Sequence, residues 1–114
     1  MIRKEVCKET EGLMGGKGTV RVYHILDREE LGNAGRLYGR VVLEPGTSIG
    51  WHRHKGETEP YYILKGEGTF IDNDGSKTIV TPGDVCVIED GHYHSIENNS
   101  NEPVEFMALV YNLI

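Results

Sequence analysis

At 114 residues the chain has the length of one domain, and 38 % of it is apolar, enough to form a core and too much for a disordered polypeptide. Twelve Lys and Arg against eighteen Asp and Glu leave a net charge of −6, which argues against nucleic acid and anionic membranes as partners, since both demand clustered cations. No apolar run approaches a membrane span, the first residues lack the apolar stretch of a secretory leader, and two isolated cysteines, Cys7 and Cys86, make no disulfide framework. The expectation is a cytoplasmic protein.

Residues 1–18 are polar and rich in glycine, and read either as an arm that pairs with a second subunit or as a loose end. Thr19 to Leu26 reads as a strand, and Asp27 to Arg36 as a short helical turn or loop. Leu37 to Glu44 is a strand stopped by Pro45-Gly46, and Ser48 to His54 is the next. Lys55 to Thr58 looks like a turn, after which Tyr61 to Lys65 resumes as a strand. Gly68 to Ile71 and Lys77 to Val80 flank Asp72-Asn73-Asp74-Gly75, a good hairpin turn. Thr81-Pro82-Gly83-Asp84 is a further turn, followed by strands at Val85 to Ile88, His94 to Asn98 and Val104 to Tyr111. Cys86 sits in an apolar run as a small buried hydrophobe. About nine or ten short strands with no long helical periodicity predict an all-β sandwich or closed barrel over 19–111, in a single domain.

Of the five histidines, His52-Arg53-His54 and His92-Tyr93-His94 form two His-x-His pairs, while His24 stands alone and reads as an ordinary surface or core residue. Residues i and i+2 of a strand share a face, so His52 and His54 present neighbouring imidazoles, a pairing suited to a transition metal. A carboxylate follows closely, either Glu57 or Glu59, and His94 opens a later strand that could complete the set. Trp51 should face away from both imidazoles and serve packing. If Glu59 faces inward, so should Tyr61 and Ile63, with Tyr62 and Leu64 facing out; His94 and Ile96 should likewise share a side.

The spacing of these residues resembles that of the cupins. Gly46, five residues, His52-Arg53-His54, four residues, Glu59, six residues and Gly66 fit the family's first motif at every specified position. Gly83, Gly91, His94 and Asn98 fit the second, with Glu89 standing where that motif has proline. The resemblance covers 46–98 and implies a double-stranded β-helix, a jelly-roll barrel of two antiparallel sheets. It further implies one divalent transition metal per chain (Mn, Fe, Ni, Co, Cu or Zn), held by His52, His54, Glu59 and His94, and a homodimer. In an octahedral shell these four leave two adjacent positions for a bidentate anion, so a small carboxylate is the expected partner. Glu57, Tyr61 and His92 are the candidate acid–base groups, and Arg40 and Tyr61 the candidate substrate contacts; Tyr61 as barrel packing and Arg40 as a surface ion pair are the plainer readings. The implied activity is a metal-dependent enzyme, oxalate-decarboxylase-like or dioxygenase-like. The alternatives are a non-catalytic ligand-binding or sensing protein and a sugar-related isomerase.

Overall fold

Alternation of apolar and polar side chains turns each run into a strand with one inward row. In the last strand Val104, Phe106, Ala108 and Val110 are buried, while Glu105, Met107 and Leu109 between them are partly exposed. The computed structural model describes residues 1–113. Among them are β1 (Val6–Glu11), β2 (Thr19–Leu26), β3 (Gly35–Leu43), β4 (Ser48–Arg53), β5 (Glu57–Lys65), β6 (Gly68–Ile71), β7 (Lys77–Val80), β8 (Val85–Ile88), β9 (Tyr93–Glu97) and β10 (Val104–Asn112). One short helix, α1 (Arg28–Leu31), interrupts them. It starts at Asp27, whose carboxylate accepts from the Glu30 N–H at 2.8 Å while Glu30 accepts from the Asp27 N–H at 3.0 Å.

The strands form two antiparallel sheets, one ordered β1-β2-β3-β10-β5-β8 and the other β4-β9-β6-β7, which is the jelly roll that the motifs imply. Inward rows of both sheets meet in a core that includes Val41, Leu43, Ile63, Ile96, Val104 and Phe106. Burying each such side chain is worth about 1.5–3 kcal/mol. Tyr61 and Ile63 face in while Tyr62 and Leu64 are exposed, as the alternation requires. Cys86 is buried, and burial pushes its thiol up to about 11.

Two segments differ from the sequence reading. The polar N-terminal stretch is not a loose end: β1 lies at the edge of its sheet and pairs in register with β2 of its own chain, Val6 opposite His24 through Glu11 opposite Thr19. Its side chains are nearly all exposed, so it lacks the apolar alternation that marks a strand, and main-chain pairing holds it. β5 begins at Glu57 rather than near Tyr61, because the long partner β10 extends the pairing to Asn112 opposite Glu57.

Two further features fix the frame of the site. Gly16 and Gly50 lie against the neighbouring backbone: a Cβ on Gly16 would fall 2.1 Å from the Ser48 carbonyl oxygen, and one on Gly50 would fall 2.1 Å from that of Met14. This contact docks the 3-10 turn at 13–15 onto β4. Just before β4, the Gly46 N–H donates to Asn98 O and the Asn98 N–H to Thr47 O, both at 2.9 Å. The fully buried Asn98 side chain donates to Leu43 O and Glu102 O and accepts from Ser100, so every polar atom is satisfied. From that join β4 and β9 pair Ser48 with Glu97 and Ile49 with Ile96, then His52 with His94, leaving one extra residue on β4 as a bulge.

Candidate metal centre

Both sheets contribute to a cluster of His52 on β4, His54 just beyond it, Glu59 on β5 and His94 on β9. One potential ligand atom from each lies within 4.8 Å of the others. The Nε2 atoms of His54 and His94 are 3.1 Å apart, as are those of His94 and His52. Glu59 Oε1 is 2.9 Å from His54 Nε2 and 3.4 Å from His94 Nε2. Two donors about 2.1 Å from a shared cation sit about 3.0 Å apart at a right angle and about 3.4 Å apart at the tetrahedral angle, so these spacings suit a cradle for one cation.

The rings are held so that their inner nitrogens point together. His52 Nδ1 donates to Gly50 O at 2.7 Å, and His54 Nδ1 donates to Glu57 Oε1 at 2.8 Å. In each neutral ring the Nε2 lone pair then faces the centre, as a metal ligand requires. Glu57 is itself gripped by Arg36, whose Nε and Nη2 donate to it at 2.8 and 2.6 Å. That pairing, against opposing burial and with help from His54, holds the Glu57 carboxyl below its usual range. His94 is fully buried between Tyr61 and Phe70, and its Nδ1 has no hydrogen-bond partner among the described residues.

Electrostatics set up competition between proton and metal. Burial lowers the pKa of His52, outweighing its bond to Gly50, and keeps that ring neutral. Burial acts the same way on His54, but hydrogen bonds to Glu59 and Glu57 overcome it and raise the pKa. Burial likewise opposes ionisation of Glu59, yet His54 and His94 bring its carboxyl down to about 2. Without a cation, His54 thus favours a proton on the nitrogen that a metal would take.

The cluster opens into a cavity of about 310 Å³. His52, His54, Glu59 and Tyr61 share its lining with the apolar Leu13, Met14, Val22, Leu37, Val41, Ile49 and Ala108. The polar remainder of the lining is Lys8, Thr10, His24, Arg28 and Arg36, so Glu59 is its single acidic residue.

Among the other residues singled out from sequence, Tyr61 lies in the lining, packed on Phe106 with ring centroids 4.4 Å apart. Burial, together with the nearby Glu59 carboxylate, keeps its phenol protonated far above the usual range. Glu57 touches His54 rather than the centre of the cluster. His92 is outside the lining and contributes its main chain, whose carbonyl accepts from the His54 N–H at 3.0 Å. Arg40 is also outside, on the outer sheet face, bound to Glu5 and Glu105 and stacked over Tyr23 at 4.1 Å. Trp51 points outward and stacks on Tyr93 at 5.6 Å.

Sequence reasoning missed Arg36, Lys8, Arg28 and His24 as cavity residues. Strand parity puts Arg36 on the outer face with Arg40, but β3 has an extra residue there: Val110 pairs with Leu37 and Tyr111 with Gly35. The bulge turns Arg36 inward. Lys8 and His24 enter the lining through the β1–β2 pair, which had no recognisable pattern on the β1 side.

A jelly roll with three imidazoles and a carboxylate converging between its sheets defines a class of barrel suited to hold a cation. The family model described as Cupin domain matches residues 39–110, and the chain belongs to that family. It is 48 % identical over 98 residues to an oxalate-binding protein of Thermotoga maritima, covering 86 % of this chain and 80 % of that protein. It superposes on the crystal structure of a predicted oxalate decarboxylase from Thermotoga maritima with a TM-score of 0.91 and 43 % identity, over 99 % of each chain. A Thermus thermophilus protein shares the fold with a TM-score of 0.72 at 22 % identity, over 82 % of this chain and 83 % of that one.

Proposed function

We infer that this cupin binds a small carboxylate at a divalent transition metal held by His52, His54, Glu59 and His94. The observation that carries the reading is the convergence of three imidazole nitrogens and one carboxylate in a cavity whose remaining charged groups are cationic. A bound cation would supply Lewis acidity, a template and, for redox-active metals, electron transfer. The chain's own residues orient and select. Gly50 and Glu57 aim His52 and His54, Arg36 keeps Glu57 ionised, and the positive lining attracts an anion. The name of the Thermotoga oxalate-binding protein agrees with this ligand class.

Turnover is the second reading, motivated by the Thermotoga structure described as a predicted oxalate decarboxylase. Of the candidate acid–base groups, Glu57 is engaged on both oxygens and His92 lies outside the cavity, which leaves Tyr61. Binding is therefore the better supported of the two. The deciding experiment loads the protein with Mn, Fe, Co, Ni, Cu or Zn, measures metal per chain, titrates oxalate by calorimetry and follows CO2 release and O2 uptake. Oxalate binding that needs the metal and yields no product supports the binding reading. CO2 release supports a decarboxylase and O2 uptake a dioxygenase. Absence of both metal and oxalate binding overturns the assignment. The same proposal takes the protein to be a cytoplasmic single-domain homodimer, for which the exposed apolar side chains on β5 and β8 give a joining surface.

A further inference from the structure

The cavity is much larger than the smallest dicarboxylate requires. At about 30 Å³ per water, it has room for about ten waters. Its polarity is also ordered by depth. His54 and Glu59 are buried in the lining, while Lys8 of β1 and Arg28 of α1 join it from exposed positions. Among the described residues neither of these two cations has an ion-pair partner, whereas Arg36 is committed to Glu57. Apolar side chains, including Leu13, Val22 and Ile49, complete the wall. Oxalate, with no carbon between its carboxylates, can use the metal cluster but neither the apolar wall nor the outer cations.

We propose that the site takes an elongated dicarboxylate, with one carboxylate at the metal cluster, an apolar middle against Leu13, Val22 and Ile49, and the second carboxylate at Lys8 and Arg28. This rests on the carboxylate-at-metal reading above and extends it to the ligand's length and second charge. Each methylene buried on the wall tightens binding about fourfold. Pairing the far carboxylate with two cations at the mouth adds about tenfold.

The test keeps the metal-binding head constant. Mn(II)-loaded protein is titrated by calorimetry with pyruvate, 2-oxopentanoate, 2-oxoglutarate and 2-oxoadipate, alongside oxalate. The expected result is that 2-oxoglutarate or 2-oxoadipate binds at least tenfold more tightly than both pyruvate and 2-oxopentanoate. The double variant Lys8→Gln/Arg28→Gln should abolish that advantage, weakening the longer diacids at least tenfold more than it weakens pyruvate. If oxalate and pyruvate bind but the longer diacids gain nothing, or the double variant weakens pyruvate equally, this inference fails and the carboxylate reading stands. If none of the five acids binds the loaded protein, both fall together.

Discussion

His54 makes four demands on its surroundings: Glu57 on one ring nitrogen, Glu59 and His94 near the other, and the His92 carbonyl on its main chain. Replacing a ligand should therefore differ sharply from replacing a support. His52→Ala or His94→Ala should reduce metal per chain to near zero and erase the rise in Tm on loading, because the metal stabilises only the state that binds it. His24→Ala should retain the metal, by elemental analysis. Glu57→Ala should retain it at saturation but lower affinity about 10–100-fold, measured by competition with a chelator, and Glu57→Gln should recover part of that loss because its amide oxygen still accepts from His54. Glu59 has a folded pKa of about 2 against an ordinary 4.5, so the stability it gives the metal-free protein is complete above pH 4.5 and fades as pH falls toward 2. The difference in denaturant stability between wild type and Glu59→Gln should shrink over that range; a constant gap would contradict the pairing. The four ligand candidates could be read from sequence because their spacing is regular and local. Arg36 could not, because one bulged residue reverses the parity on which such readings depend.

At the level of elements, the strands of the two sheets were largely legible, since apolar alternation and Gly-, Pro- and Asp-bearing turns mark them. Gly46, Gly66, Gly83 and Gly91 all take positive φ, as their turn positions suggest. β1 was illegible for a physical reason: a polar strand held at an edge by main-chain bonds leaves no mark in side-chain pattern. The docked turn at 13–15 was hidden too, because the glycines that permit it are far apart in sequence. Alanine at either should force the backbones apart and cost about 1–3 kcal/mol, seen as a fall in Tm. Gly50→Ala should also weaken metal binding, since the Gly50 carbonyl holds His52, whereas Gly16→Ala should affect stability alone. Equal metal affinity in the two variants would contradict the role given to Gly50.

Across the whole molecule, Tyr62 and Leu64 on β5 and Val85 and Val87 on β8 expose an apolar band on adjoining strands. Sedimentation should report a dimer that Tyr62→Glu with Val85→Lys converts to a monomer without loss of metal; a monomeric wild type would remove that reading. The join between Gly46 and Asn98 bears on the site in another way. Measured from it, His52 is reached after a fixed count of peptide units along one strand and His94 along its neighbour, and the bulge absorbs the surplus. The intervals in the two motifs are thus lengths of chain rather than chemistry. Deleting Ser95, which offers no ligand and lies on the strand without a surplus residue, would remove no donor, yet it would turn His94 off the inward face and abolish metal uptake as surely as deleting an imidazole.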